Sequence, residues 1–205
     1  IQAGITDILI VTGVDHMGDV VQLLGSGKEF DCKFTYRVQE DAGGIAQALL
    51  LAEDFANKQP LTVILGDNIF QGSIKDAVNQ FESGASLLIK EVQDPKRFGV
   101  ATIRDNKIIK IEEKPQNPES NYAITGIYIY DDNVFDIIKN CKPSARGELE
   151  ISEVNALYLE KNEVRYSILD GWWSDAGTFS SLSKASELVS EFPIDNDGLK
   201  MSNIL

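Results

Sequence analysis

Short apolar segments of strand length recur along this chain and alternate with stretches of helical periodicity. The strand-like segments are residues 7–11, 33–38, 61–65 and 85–90, and helix-like segments at 18–24, 45–56 and 74–81 separate them. Strands that alternate with helices are typical of α/β proteins with parallel strands. The sequence therefore predicts an α/β fold with a Rossmann-like mixed, mostly parallel sheet flanked by helices.

The pattern changes after Pro95 but shows no linker or repeat. A hairpin is expected because two short strand-like runs flank Asp105-Asn106, a favourable turn pair. The closing helix places Phe179, Leu182, Ala185 and Val189 on one side. The elements expected in this half are strands 99–103, 107–111, 123–130 and 164–169, and helices 134–140, 151–159 and 179–189. We expect one domain, residues 1–190, and a tail, 191–205.

The first visible strand lacks the usual opening unit of such a sheet. Residues 1–5 look like the end of a helix that leads into strand 7–11. A doubly wound sheet normally starts with a strand and a phosphate-binding turn. We therefore expect that this first strand-turn-helix unit, roughly 30–40 residues, precedes Ile1.

Charge and composition exclude several classes of function. The chain has 19 lysines and arginines against 32 aspartates and glutamates, a net charge of −13. Such an acidic chain is a poor ligand for a nucleic acid polymer, although carboxylates that hold a divalent cation can still bind a single nucleotide. No apolar run is long enough to span a membrane. Cys32 and Cys141 form no CxxC pair, which favours free thiols in a reducing cytoplasm.

Two apparent signals fail on spacing. The run Gly25-Ser26-Gly27-Lys28 matches neither a phosphate loop nor a dinucleotide-binding loop, so a turn is expected there. His16 is the only histidine and has no nucleophile partner in a known arrangement, so it is expected at the surface.

Two aspartates stand at positions where α/β proteins bind ligands. Asp67 follows the apolar run 61–65, and Asp175 lies between two tryptophans and a turn of small residues. Alone, Asp67 could be a turn residue and Asp175 a helix cap. If the two converge, they suit Mg²⁺, which prefers a few carboxylates together with phosphate oxygens.

Two charged segments allow both a plain and a functional interpretation. Glu113 and Lys114 precede Pro115 and could be a solvated hairpin end, or could bind a sugar hydroxyl and a phosphate. Arg146 could be a loop cation or a phosphate ligand.

Seven short motifs occur in an order that identifies a family resemblance. They are Gln39 with 43–48 (GGIAQA), 65–68 (LGDN), 97–100 (RFGV), 113–115 (EKP), 122–126 (YAITG), 144–151 (SARGELEI) and 173–178 (WSDAGT). From Ile1 to about Val189 the chain resembles the sugar-1-phosphate nucleotidyltransferases, and within them the glucose-1-phosphate thymidylyltransferases. The resemblance implies the nucleotidyltransferase fold.

The resemblance implies a reaction with two substrates. A thymidylyl group would pass from dTTP to glucose 1-phosphate by in-line attack, giving dTDP-glucose and pyrophosphate, a first step towards dTDP-rhamnose. No covalent enzyme intermediate is needed, so catalysis would rest on positioning and charge neutralisation. Mg²⁺ is the implied cofactor. Relatives form dimers or tetramers, so a homo-oligomer is expected.

The resemblance also assigns roles to residues. Asp67 and Asp175 would hold Mg²⁺ at the α-phosphate, and Lys114 and Arg146 would join them as catalytic groups. Gln39, the backbone of Gly44 and Asp67 would bind the nucleotide. The sugar phosphate would be bound by Asn68, Gly99, Glu113, Lys114, Ile124, Tyr128 and Arg146.

Departures from the family pattern leave alternatives open. The family's Gly-rich loop, with its arginine and a following lysine, would lie before Ile1, so the 205-residue chain alone is expected to be inactive. Phe98 stands where many relatives carry tyrosine, and the short tail puts regulation by dTDP-rhamnose in doubt. A UDP-sugar or other sugar-nucleotide pyrophosphorylase, and a non-catalytic sugar-nucleotide-binding subunit on the same fold, both remain possible.

Overall fold

The computed structural model describes residues 1–193. Its strands are β1 (Asp7–Gly13), β2 (Lys33–Gln39), β3 (Leu61–Ile64), β4 (Asn68–Phe70), β5 (Ala85–Glu91), β6 (Gly99–Arg104), β7 (Lys107–Glu113), β8 (Tyr122–Tyr130), β9 (Val164–Ile168) and β10 (Trp173–Asp175). Its helices are α1 (Met17–Leu24), α2 (Ile45–Leu50), α3 (Glu53–Ala56), α4 (Lys75–Asn79), α5 (Asn133–Asn140), α6 (Ile151–Glu160) and α7 (Phe179–Glu191). Most of the predicted tail, from residue 194 onward, lies outside the described residues.

The central strand of the main sheet is β8. It pairs with β5 on one side, and with β3 and β6 on the other. The sheet order is β7-β6-β8-β5-β9, with β3 also bonded to β8. Strands β3, β5, β6 and β9 run in one direction and β7 and β8 in the other. The mixed α/β prediction is confirmed, although most neighbouring pairs are antiparallel because β8 lies among strands of opposite direction.

A gap opens where β3 and β6 share the same edge of β8. Strand β3 ends with Ile64 opposite Ile127, and β6 begins with Gly99 opposite Ile124. The carboxyl end of β3 and the amino end of β6 therefore meet beside Gly126. A change of neighbour along a strand creates a crevice, which is where open α/β sheets bind ligands.

The core packs against one face of this sheet. Strand β8 is buried along nearly its whole length, and α2, α5 and α6 contact one another above it. The rings of Tyr128, Tyr130 and Tyr158 stack with centroids 5.8 Å apart. The Tyr130 hydroxyl donates a hydrogen bond of 2.6 Å to Oδ1 of Asn155, which satisfies two polar groups inside the core.

Strands β1 and β2 form a separate two-stranded parallel sheet. No residue of either strand is fully buried. A cavity of about 1030 Å³ with largely apolar walls separates β1 from β3, and Leu9, Val63 and Leu65 are among its lining residues. The predicted strands at 7–11 and 61–65 are confirmed, and both are only partly buried among the described residues.

The expected hairpin is confirmed, and Asp105 and Asn106 both adopt positive φ angles at its turn. The helix expected at 45–56 divides into α2 and α3. The reason is that the Leu51 carbonyl accepts a 2.8 Å hydrogen bond from the Arg37 guanidinium instead of continuing the helix. His16 is exposed, as expected.

Most of the apolar residues that the closing helix carries on one side are exposed in the structure. A capping box joins Thr178 to Ser181 at the start of α7, and the small residues Ser181 and Ala185 are buried. Phe179 is 94% exposed, and Leu182 and Val189 also face outward. Among residues 1–193 no helix has the length and apolar character needed to cross a membrane.

Candidate active site

Two aspartates meet where β4 pairs with β10. Asp67 lies in the turn before β4, and Asp175 ends β10. The register places Asp175 opposite Asn68, and the Ala176 amide donates a 2.7 Å hydrogen bond to the Asp67 carbonyl. The Oδ2 atoms of Asp67 and Asp175 lie 3.2 and 3.8 Å from the point that a Cβ on Gly177 would occupy. The fold therefore brings together two carboxylates that are distant in sequence.

These two carboxylates fit a cation that takes its other ligands from substrate and water. Within residues 1–193 no group of three or more His, Cys, Asp or Glu side chains forms a complete metal site. Mg²⁺ is commonly bound by one or two carboxylates together with substrate phosphates and retained waters. The bare glycine at position 177 leaves the space beside both Oδ2 atoms open. The donor set thus fits Mg²⁺.

Asn68 connects the aspartates to the main sheet. Its Nδ2 donates to Oδ1 of Asp67 at 2.8 Å, while its Oδ1 accepts from the Gly126 amide at 2.9 Å and from Trp173 Nε1 at 2.7 Å. A Cβ on Gly126 would lie 2.3 Å from Nδ2 of Asn68, so only glycine fits there. In this structure Asn68 positions Asp67, and its contact with substrate stays a prediction.

Three residues expected to bind sugar phosphate are adjacent because of strand register. Gly99 pairs with Glu113 of β7 and with Ile124 of β8. A Cβ on Gly99 would be 3.3 Å from Oε2 of Glu113 and 3.7 Å from Cδ1 of Ile124. These side chains therefore share one face of the sheet, at the junction of β3 and β6.

Lys114 follows β7 in a constrained conformation. Its φ is +44°, an angle that non-glycine residues rarely adopt, and its amide donates to the Phe98 carbonyl at 3.0 Å. The ammonium group lies 3.7 Å from Oε1 of Glu113. This backbone bend places the lysine beside the residues that flank Gly99.

Tyr128 lies deeper on β8 and is 4% exposed. Burial raises the pKa of its hydroxyl, and the negative charges of Glu113 and Asp67 raise it further. Both carboxylates belong to residues of the predicted site, so the hydroxyl of Tyr128 is within electrostatic range of that site.

Arg146 lies in the loop before α6. Its guanidinium donates to Oε1 of Glu150, with Nη2 at 2.7 Å, and Oε2 of Glu148 is 3.6 Å away. The hydrogen bond with Arg146 lowers the pKa of Glu150, and a second hydrogen bond from Ser144 adds to the effect. The structure thus fixes Arg146 by acidic neighbours, with its charge more than half exposed.

The predicted nucleotide residues lie beside the loop that carries Arg146, because the Gly43 carbonyl accepts a 2.8 Å hydrogen bond from the Leu149 amide. Nε2 of Gln39 donates to Oε1 of Gln47 at 2.7 Å and to the Gly44 carbonyl at 3.2 Å. Gly44 has a φ of +96°, and a Cβ there would be 2.5 Å from the Leu149 carbonyl. Oε1 of Gln39 and the amide of Gly44 make no hydrogen bond within residues 1–193, so both are available to a base.

Arg97 is a site residue to which the sequence analysis gave no role. Its Nη2 lies 3.1 Å from Oδ2 and 3.4 Å from Oδ1 of Asp175. The signal that could have found it is a cation two residues before Gly99. None of the predicted site residues lines the cavity between β1 and β3 in the described part of the chain, although Gly66, the neighbour of Asp67, does.

Comparison with known proteins gives concordant results. The family model described as nucleotidyl transferase matches residues 1–191. A glucose-1-phosphate thymidylyltransferase of Neisseria meningitidis is 42% identical over 195 residues, which cover 91% of this chain and 67% of that protein. One from Mycolicibacterium smegmatis is 39% identical over 207 residues, covering 98% of this chain and 72% of the relative.

Solved structures of related proteins give similar matches. A candidate glucose-1-phosphate thymidylyltransferase of Bacillus anthracis, crystallised with sucrose, is 57% identical and superposes with a TM-score of 0.87. The match covers 91% of this chain and 77% of that structure. A UDP-glucose pyrophosphorylase solved with UDP-glucose has a TM-score of 0.79 at 22% identity, covering 93% of this chain and 82% of the other. The second match shows a shared fold only.

Proposed function

Because this chain belongs to the nucleotidyl transferase family, we propose that it transfers a thymidylyl group from dTTP to glucose 1-phosphate. The products are dTDP-glucose and pyrophosphate. The relatives are enzymes named for this activity, and the chain is a nucleotidyltransferase. The choice of dTTP and of glucose 1-phosphate is the part that we propose.

The observation that carries this proposal is the convergence of Asp67 and Asp175 beside the junction of β3 and β6. The transfer joins two polyanions, so it needs positive charge where the α-phosphate is attacked. The two carboxylates would hold Mg²⁺, which supplies this charge neutralisation when bound. The open space beside Gly177 leaves room for phosphate oxygens.

On one side of this centre, chain groups would orient the sugar phosphate. The Gly99 backbone and the Glu113 carboxylate offer a donor or acceptor to sugar hydroxyls, and Lys114 and Arg146 offer cations to the phosphate. The phosphate oxygen of the sugar attacks the α-phosphorus, a P–O bond forms, and the bond to pyrophosphate breaks. The chain's contribution is to align these atoms and to offset their repulsion.

Gln39 and Gly44 would bind the pyrimidine. Oε1 of Gln39 can accept the N3–H of thymine, and the Gly44 amide can donate to a base carbonyl. The internal bonds of Nε2 to Gln47 and Gly44 fix the amide so that its oxygen is the free atom. Uracil presents the same edge, so UTP is the natural competitor, and a UDP-sugar pyrophosphorylase is the second candidate.

The test is pyrophosphate release by the full-length gene product with Mg²⁺, glucose 1-phosphate and, in turn, dTTP, UTP, CTP, ATP and GTP. We expect dTTP to give the highest kcat/KM. Equal use of UTP would replace the proposal with a relaxed pyrimidine pyrophosphorylase. A folded protein that binds dTTP without releasing pyrophosphate from any pair would favour a binding subunit.

A further inference from the structure

Arg97 forms the one ion pair that either site aspartate makes within residues 1–193. Its guanidinium contacts both oxygens of Asp175, at 3.1 and 3.4 Å. The side chain of Asp175 is only 19% exposed, whereas that of Arg97 is 51% exposed. The arginine therefore reaches this carboxylate from the solvent side.

A continuous chain of contacts links this ion pair to the second aspartate. The Arg97 guanidinium carbon lies 5.3 Å from the centroid of the Phe98 ring, and that ring meets Trp173 edge-on at 5.0 Å. Trp173 in turn donates to Asn68, which donates to Asp67. The cation–π contact holds the guanidinium beside the metal-binding residues without a second carboxylate partner.

We infer that Arg97 is an internal counterion of Asp175 that competes with the divalent cation for this carboxylate. The inference rests on the proposed function, because it assumes that Asp67 and Asp175 hold the metal. Without metal, the guanidinium offsets the charge of Asp175. A divalent cation and a guanidinium repel each other, so binding of one at Asp175 displaces the other.

A competing role and a purely structural role of Arg97 predict opposite effects of its removal on metal binding. If Arg97 only oriented Asp175, its removal would loosen the carboxylate and weaken metal binding. If Arg97 competes, its removal tightens metal binding. The Mn²⁺ dissociation constant is expected to fall roughly threefold or more, the range of a partly exposed ion pair.

The test measures direct Mn²⁺ binding by electron paramagnetic resonance of free Mn²⁺, without nucleotide, on the full-length protein at physiological salt. R97Q removes the charge and keeps a polar side chain, and R97K keeps the charge. K96Q is the matched control, because Lys96 is the exposed neighbouring cation and makes no ion pair with Asp175 in the described structure. Thermal unfolding of each variant verifies that it is folded.

We expect R97Q to bind Mn²⁺ more tightly, with R97K and K96Q close to the unmodified protein. Unchanged or weaker binding by R97Q overturns the inference, as does equal tightening by K96Q, which would indicate only a change in overall charge. Loss of Mn²⁺ binding in D67N and in D175N would show that Mn²⁺ binds at these two aspartates. If Mn²⁺ binds there and R97Q tightens it, but no pyrophosphate is released, the proposed function fails while the Arg97 inference holds. If the unmodified protein binds no Mn²⁺, the Arg97 inference fails.

Discussion

The indole nitrogen of Trp173 donates a 2.7 Å hydrogen bond to Oδ1 of Asn68, and this contact joins two strands that are far apart in sequence. Asn68 also accepts from the Gly126 amide and donates to Asp67. One amide side chain thus ties β10, β8 and the Asp67 turn into a single unit. The catalytic geometry that we propose depends on this residue without requiring that it touch substrate.

Asn68→Ala removes this amide. We expect it to destabilise the fold by roughly 1–3 kcal/mol, because the Gly126 amide and the Trp173 indole lose their acceptor. We also expect kcat to fall more than KM rises, since Asp67 loses its orientation. Urea unfolding and steady-state kinetics measure the two effects. An unchanged kcat in a folded variant would show that Asp67 does not need Asn68.

Asp67→Asn tests the metal site. It removes one negative charge from an exposed turn, so we expect stability to change little and Mg²⁺-dependent turnover to fall roughly 100-fold or more. We expect the same fall in turnover for Asp175→Asn. Circular dichroism verifies the fold, and pyrophosphate release measures turnover. Retained turnover in either variant would contradict the assignment of that aspartate as a metal ligand.

Lys114→Ala tests the sugar side of the site. A lysine that donates to a phosphate contributes a charge-assisted hydrogen bond, so we expect KM for glucose 1-phosphate to rise roughly tenfold. KM for dTTP should change little. Lys110→Ala is the control, because Lys110 lies on the same hairpin but pairs with Glu112 and Glu119. A larger effect on dTTP than on the sugar would mean that the two half-sites are exchanged.

Arg146→Gln tests the loop before α6 through its pH dependence. Arg146 lowers the pKa of Glu150 in the folded protein below the ordinary value of 4.5. A lowered carboxyl pKa stabilises the folded protein at any pH above the ordinary pKa of the group. This stabilisation is lost as the pH falls through the lowered pKa. We therefore expect Arg146→Gln to have a lower Tm at pH 7 and an equal Tm in strong acid. A Tm difference that is constant with pH would contradict the role of this pair.

Arg165→Gln is the control for the effect of Arg146→Gln on activity. Arg165 makes an exposed ion pair with Glu82 at 2.8 Å, on β9. We expect turnover to fall in Arg146→Gln and to stay unchanged in Arg165→Gln. Equal losses would indicate a general effect of surface charge.

Gly126→Ala tests the close packing at the junction of β3 and β6. The added Cβ would lie 2.3 Å from Nδ2 of Asn68, so we expect a loss of roughly 1–3 kcal/mol and of turnover. Gly18→Ala in α1 is the matched control. Nothing lies within 4 Å of a Cβ there, so the change should stabilise by roughly 0.5–1 kcal/mol. Urea unfolding compares the two, and a neutral Gly126→Ala would mean that Asn68 can move aside.

Local signals in the sequence predicted much of this structure. The alternation of apolar runs gave the strand positions, and Asp105-Asn106 gave the hairpin turn. Asp67 was identified because a polar residue after an apolar run marks a sheet edge. The structure shows Gly99, Glu113 and Ile124 side by side, as the family resemblance implies.

Other features depend on contacts between distant segments. The ion pair of Arg97 with Asp175 joins residues separated by 78 positions, and no local pattern encodes it. The direction in which α7 turns its apolar residues is set by its contacts with β10. Periodicity alone identifies a helix but not the side that the rest of the molecule covers.

The separate sheet of β1 and β2 has a consequence for how the two substrates are held. Gln39 ends β2, whereas Gly99, Glu113 and Ile124 belong to the six-stranded sheet. The residues proposed to bind the base and those proposed to bind the sugar phosphate therefore belong to different sheets. Strand register does not set the spacing between them. That spacing depends on side-chain contacts such as the hydrogen bonds from Gln39 to Gln47 and from Arg37 to the Leu51 carbonyl, which join β2 to the segment 44–51.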